Sequence, residues 1–356
     1  MTNKSLVNRI DHLEVTCKNI SEMEGLYKRL GFTCTQAKET ENGVQRMLVQ
    51  GKTKFLLSSF NNGFAKDYQD NHGDGVCRIS FHVDDVEATL KTALDRGAEL
   101  IESYKKESDD SVTIETAAIK GFGDVRMCFF KRSGDGVAAF DVDSAFAPGF
   151  KSTGQSKDLN SNGLLTIDHL TNNVEKGKMQ HWCDFYEKIF GFEEVRHFNI
   201  QGASTGLLSK VMQSKDGAVK IPINEPKDDK SQIQEYIDEH KGAGVQHIAL
   251  TTVDIVGSVE KLKTNDFKFL DVPETYYEDL PSRINNINEP LSELQRLQIL
   301  ADGDNNSYLL QIFTENQIGP LFFEIIERHG HNGFGEGNFK ALFEAIERDQ
   351  RKRGVL

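Results

Sequence analysis

The sequence predicts an α+β protein of two tandem, related domains, each holding two strand–helix–strands modules. Two observations carry this reading. The chain resembles itself, and a polar linker separates the two copies. "RIDHLEVTCKNISEMEGLYKRLGFTCTQAKE" (9–39) matches "TIDHLTNNVEKGKMQHWCDFYEKIFGFEEVRHF" (166–198). Both read as a strand, an amphipathic helix, a Gly-Phe pair and a second strand. "GVCRISFHVDDVEATLKTALDRGAEL" (75–100) pairs in the same way with "GVQHIALTTVDIVGSVEKLKTNDFKFL" (244–270). There a strand runs into a helix opened by acidic residues, as the positive end of a helix dipole favours. Self-similarity on this scale marks a duplicated architecture.

Between the copies, "SAFAPGFKSTGQSKDLNSNG" (144–163) is rich in Gly, Ser, Asn and Asp, the composition of a linker. The boundary is placed near residue 155, giving domains 1–155 and 156–356. In the second half, strands are expected at about 163–171, 193–201, 204–213, 218–224, 245–252, 298–302, 307–314 and 320–328. Helices are expected at about 178–190, 231–240, 254–264 and 338–352. "NEPKDDKS" (224–231) and "PSRINNINEPLSEL" (281–294) read as polar loops. In the last helix Phe339, Leu342, Phe343 and Ile346 follow the spacing of one helical face, with Asn338 as its cap.

Composition bounds the function. A chain of 356 residues has room for about two domains. No run of about 20 apolar residues is present to cross a bilayer, and the N-terminal stretch lacks a signal-type apolar core. The expected location is the cytoplasm. Five scattered cysteines without a CxxC pair read as reduced, buried thiols. A net charge of −13 without a basic stripe argues against nucleic acid or anionic membrane as a partner.

The duplication also acts as an internal control. His169 in "IDHL" has His12 as its counterpart, and His247 in "VQHIAL" has Arg78. Glu324 in "FFEII" aligns with Cys128 or Lys131, depending on the gap. Only the second half keeps two imidazoles and a carboxylate on separate strands. A carboxylate inside an apolar run is costly unless a cation offsets it. Two His and one carboxylate can form one face of an octahedral ion, as in non-haem Fe(II) sites that use O2. The same donors also suit Zn²⁺ or Mn²⁺.

The strings "IDHLTNNV", "DFYEKIFGF", "SKVMQS", "IPINEP", "SQIQEYI", "GVQHIAL", "LLQIFT", "FFEIIER" and "GFGEGNFKALFEAIERDQ" occur in this order. Through them the chain resembles the 4-hydroxyphenylpyruvate dioxygenase family of the vicinal oxygen chelate superfamily. The resemblance spans nearly the whole chain and is strongest from 163 onward. It implies two glyoxalase/dioxygenase-like domains of paired βαβββ modules forming open barrels, the first non-catalytic, with a C-terminal lid helix. It implies Fe(II) held by His169, His247 and Glu324. It also implies conversion of 4-hydroxyphenylpyruvate and O2 to homogentisate and CO2, a step of tyrosine and phenylalanine catabolism. The substrate carries its own α-keto acid, so no keto-acid cosubstrate is needed. Gln246, Gln311, Asn224 and Ser209 match the family's catalytic polar residues. Gln232, Pro222, Phe313, Phe322, Phe334 and Phe339 match residues around the substrate. Strand alternation ranks Gln311 above Gln246, because neighbours of a ligand on a strand face away from it. A homodimer or homotetramer is expected from the family. The rival functions are 4-hydroxymandelate synthase, an isomerase or extradiol dioxygenase on the same fold, and a non-enzymatic ligand-binding module.

Overall fold

In the computed structural model, residues 5–134, 137, 144–156, 161–201, 205–304, 306–339, 347, 351 and 354 are described. The first half runs β1 (Arg9–Thr16), α1 (Ile20–Arg29), β2 (Thr33–Thr40), β3 (Gly43–Gln50) and β4 (Thr53–Phe60). After α2 (Phe64–His72), the pattern repeats as β5 (Gly75–His82), α3 (Val86–Asp95), β6 (Leu100–Ser108), β7 (Thr113–Lys120) and β8 (Arg126–Ser133). A short strand, β9 (Lys151–Ser152), adds to the edge at β2.

The second half repeats the frame. It runs β10 (Ile167–Asn173), α4 (Met179–Phe185), β11 (Glu193–Gln201), β12 (Gly206–Gln213) and β13 (Lys220–Pro226), then α5 (Gln232–His240). The second module is β14 (Gly244–Thr251), α6 (Ile255–Thr264), β15 (Leu300–Gly303), β16 (Tyr308–Phe313) and β17 (Phe322–His329), with α7 (Thr275–Arg283) and α8 (Leu291–Leu297) inserted after α6.

Each half forms one curled sheet. The orders are β6-β7-β8-β5-β1-β4-β3-β2-β9 and β11-β12-β13-β10-β14-β17-β16-β15. In both, the two modules meet where their first strands pair antiparallel, β1 with β5 and β10 with β14. Those central strands are buried almost throughout, so residues there face either the helices or the concave side of the sheet.

The segment expected as a loop at 281–294 is instead partly helical. Tyr276, Tyr277 and Leu280 of α7 are buried, as are Leu294 and Leu297 of α8. Pro281 lies within α7 and Pro290 precedes α8. The prolines and asparagines of this stretch read as loop punctuation, but burial of the apolar residues between them decides the conformation. The helix expected at 178–190 is α4 followed by a π-helical turn over Tyr186–Phe190, and Gly191 ends it at φ +73°. The expected C-terminal helix, 338–352, lies largely outside the described residues. Asn338 is in a 3-10 turn, Glu336–Asn338, and its side-chain oxygen takes hydrogen bonds from Tyr276 (2.7 Å) and Arg283 (3.3 Å).

One apolar core runs through both halves. Phe190 of the second half packs on Phe81 and Phe129 of the first, and Tyr27 of the first half on Phe323 of the second. All five cysteines are buried and unpaired. His82 and His240 are buried as well. Among the described residues no helix is long and apolar enough to cross a membrane.

Candidate metal centre and active site

Three neighbouring strands bring the sequence-distant donors together. His169 of β10 stands opposite Ala249 of β14, and Ala249 in turn stands opposite Glu324 of β17. His247 lies two residues before Ala249, on the same face of β14. Ala249 presents only a methyl group between the imidazole and the carboxylate.

The donor atoms form a small triangle. His169 Nε2 is 3.1 Å from Glu324 Oε2, His247 Nε2 is 3.4 Å from the same oxygen, and the two imidazole nitrogens are 3.4 Å apart. Atoms held about 2.1 Å from a common ion stand about 3.0 Å apart at octahedral angles and about 3.4 Å at tetrahedral ones. The donor set therefore fits one divalent ion, and its dimensions do not choose between the two geometries.

The imidazoles are oriented from behind. His169 Nδ1 donates to Asp168 Oδ2 at 2.8 Å, and His247 Nδ1 donates to Gln246 Oε1 at 3.1 Å. Each bond fixes the tautomer that turns an Nε2 lone pair toward the triangle. Asp168 reaches the adjacent imidazole because of a β-bulge. The register steps from Ile167 opposite Leu250 directly to His169 opposite Ala249, leaving Asp168 as the extra residue. Asp168 is closed in by Arg328, whose Nε and a terminal nitrogen reach its two oxygens at 2.9 and 2.7 Å, and by Lys220 at 3.2 Å.

The electrostatics of the metal-free triangle follow. Burial raises the cost of the Glu324 carboxylate, yet the flanking imidazoles outweigh it and bring its pKa down to about 2. Burial likewise opposes a charge on His169, but Glu324 and Asp168 prevail and its pKa is raised. For His247 burial dominates and its pKa is lowered. Asp168 is held well below the usual carboxylate range, because hydrogen bonds from His169 and Arg328 overcome its burial. The buried Glu324 carboxylate thus faces two imidazole nitrogens, and a metal ion bound there would compete with protonation of His169.

The triangle forms the floor of a cavity. Of the residues singled out from sequence, Ser209, Pro222, Asn224, Gln232, Gln246, Phe313, Phe322, Phe334 and Phe339 line it with His169, His247 and Glu324. Phe322 stacks on His247 with centroids 4.9 Å apart, and Phe334 meets His169 edge-on at 5.6 Å. Ser209 and Asn224 stand opposite each other on β12 and β13, and the Asn224 amide donates to the side-chain oxygens of Asn173 (3.3 Å) and Gln246 (3.5 Å). Gln311 lies outside the lining. It is buried, and its amide packs against Gly335. Gln246 lies inside the lining, the reverse of the order that strand alternation gave. Thr171, Phe198, Ile200, Leu207 and Val211 complete the wall but carried no distinguishing signal in the sequence. Asp168 was the residue beside "H" in "IDH", where a bulge is not legible from composition.

Residues 2–145 match the family described as "Hydroxyphenylpyruvate dioxygenase, HPPD, N-terminal", and residues 166–284 match "Glyoxalase/Bleomycin resistance protein/Dioxygenase superfamily". A 4-hydroxyphenylpyruvate dioxygenase from Pseudomonas aeruginosa is 42% identical over 95% of this chain and 92% of its own. The chain belongs to the 4-hydroxyphenylpyruvate dioxygenase family. A relative of the same name from the fungus Coccidioides posadasii is 41% identical over 97% of this chain and 94% of its own. Among solved structures, a mutant 4-hydroxymandelate synthase from Streptomyces coelicolor superposes with a TM-score of 0.83 at 27% identity, covering 97% of this chain and 99% of that one. This family member is an enzyme, a dioxygenase built on two vicinal-oxygen-chelate domains, and its His-His-Glu triangle is of the kind that holds a metal.

Proposed function

We propose that His169, His247 and Glu324 hold a ferrous ion, and that the cavity above it converts 4-hydroxyphenylpyruvate and O2 to homogentisate and CO2. One observation carries this reading: three donor atoms 3.1–3.4 Å apart at the base of an aromatic-walled cavity. When bound, ferrous iron supplies the redox chemistry that joins O2 to a chelated α-keto acid.

The chain's own groups do the rest. Asp168 and Gln246 keep both imidazoles in the ligating tautomer. Gln246 and Gln232 are neutral amides that orient substrate oxygens without adding charge. Phe313 and Phe322 flank the aromatic ring, and Phe334 and Phe339 cover it, excluding water from a reactive centre. Ser209 and Asn224 hydrogen-bond the phenol, and Pro222, two residues before Asn224 on β13, shapes that strand, so that the ring is fixed for attack at the carbon that bears the side chain. Gln311 acts indirectly, by backing Gly335 of the closing segment. The first half, up to about residue 155, carries no catalytic centre and serves assembly in a cytoplasmic homodimer or homotetramer.

The test is product identity. Purified protein is incubated with Fe(II), O2 and 4-hydroxyphenylpyruvate, and the products are separated by chromatography and identified by mass spectrometry. Homogentisate is expected. 4-Hydroxymandelate, an isomer that chromatography resolves, would overturn the assignment in favour of the synthase whose fold this chain shares.

A further inference from the structure

The two halves differ at the donor triangle but share the shell behind it. In the first half Asp11 is again the bulged residue, between Ile10 and His12. His12 Nδ1 donates to Asp11 at 2.8 Å, and Lys54 Nζ reaches the same carboxylate at 2.9 Å. In the second half Asp168, His169 and Lys220 repeat this set.

The strand register also makes Arg132 the counterpart of Arg328, since Ser80 opposes Cys128 just as Ala249 opposes Glu324. Each arginine grips a crossing segment through its backbone. Arg132 donates to the carbonyl of Ala145 at 2.9 Å, and the next residue, Phe146, sets its ring edge-on against His12 at 5.0 Å. Arg328 donates to the carbonyls of His331 (2.9 Å) and Gly333 (2.6 Å), and the next residue, Phe334, sets its ring edge-on against His169. The second half adds one feature: the same guanidinium also bridges both oxygens of Asp168. One rigid fork thereby touches the carboxylate that orients a metal ligand and the backbone of the segment that covers the cavity.

We propose that Arg328 is a positioning residue that couples metal binding at His169 to closure of segment 330–339, acting through Asp168. The inference rests on the metal reading above. With Nε2 of His169 given to a metal, Asp168 is what holds the ring, through Nδ1 at 2.8 Å. Arg328 keeps that carboxylate aimed, and the covering segment is fixed by the same contact. Lysine at this position keeps the charge but cannot span two carboxylate oxygens and two carbonyls together.

The experiment is an anaerobic Fe(II) titration of metal-free protein, read by binding and not by turnover. Wild type must bind one Fe(II) per chain; if it binds none, the metal reading itself fails. Given that binding, Arg328→Lys and Arg328→Gln should each weaken Fe(II) affinity by about 10- to 100-fold, the usual cost of losing an outer-shell partner. Arg132→Gln should leave it unchanged. Unchanged affinity in folded Arg328 variants overturns the proposal. A second measurement needs no variant. Hydrogen exchange on the wild type, with and without Fe(II), should show amides of 330–338 gaining protection on metal binding, while those of 144–150 do not. Equal exchange at 330–338 in the two states also overturns it.

Discussion

In the second half β10 and β14 present His169 and His247, and β17 closes the triangle with Glu324. In the first half the same strand positions hold His12, Arg78 and Cys128. Arg78 is spent on carboxylates. Its Nε donates to Glu14 at 3.0 Å, and its two terminal nitrogens bind both oxygens of Glu102 at 3.0 Å each. Phe130 and Phe146 flank His12, their rings 4.9 and 5.0 Å from the imidazole, in a cavity that Arg78 and Cys128 also line. The comparison separates two jobs that one constellation can do. An Asp–His pair behind a bulge is a way to build the mouth of a curled sheet. It becomes a metal centre only where the two other donors replace a cation and a thiol.

The largest effect is expected from Glu324→Gln, which keeps shape and removes charge. Turnover should fall by more than about a hundredfold, beyond the usual cost of an outer-shell loss, and Fe(II) titration should show weak retention with the circular dichroism of the wild type. The partner change Cys128→Ser should leave both unaltered. Fe(II) affinity equally lowered by Cys128→Ser would break the distinction between the halves.

The pH dependence comes next, and its sign differs between metal-bound and metal-free protein. The folded-state pKa of His169 is raised above 6.5, so Fe(II) would compete with a proton for its Nε2. Affinity should therefore fall as the pH falls through that raised value, with proton release measurable by calorimetry in buffers of different ionisation enthalpy. For the metal-free fold the His169–Glu324 ion pair stabilises fully below 6.5, and that stability is lost as the pH rises through the raised value. Glu324, at about 2, stays ionised across this window. An Fe(II) affinity independent of pH would refute the assignment of the proton.

His12→Ala should cost stability without touching iron. It leaves a gap between two phenyl rings and strips Asp11 of one of its two partners, a loss of about 1–3 kcal/mol. Thermal denaturation should register the loss while iron stoichiometry stays at the wild-type value. The smallest effect is a deliberate failure. Installing the missing donors with Arg78→His and Cys128→Glu should not create a second Fe(II) site, because Cys77 stands where Gln246 orients the second imidazole. A second equivalent of bound iron would show that the outer-shell amide is not what the first half lacks.

Much of this was legible in the sequence. The duplication exposed the frame, and the loss of His and Glu from one copy pointed to the three donors, because buried ionisable residues stand out against apolar strands. Most of the cavity wall followed from the family strings. What stayed hidden depended on register or long-range contact. The pairing of Glu324 with Cys128 and not Lys131 needed the strand register. Arg328, four residues after Glu324 on β17, binds Asp168, 160 positions earlier, a contact that no local pattern reveals. Helices α7 and α8 were masked by prolines and asparagines whose local preferences lost to burial of the intervening tyrosines and leucines.

The uninterrupted apolar core has a consequence for dissection of the molecule. A fragment beginning near residue 156 would keep every donor and every wall of the cavity, yet Phe190 would lose Phe81 and Phe129, and Phe323 would lose Tyr27. Each large side chain returned to water forfeits about 1.5–3 kcal/mol, so a few such losses rival the whole stability margin of a domain. The copy without donors therefore persists as ballast that cannot be jettisoned, and limited proteolysis within 144–163 should yield two pieces that still co-elute.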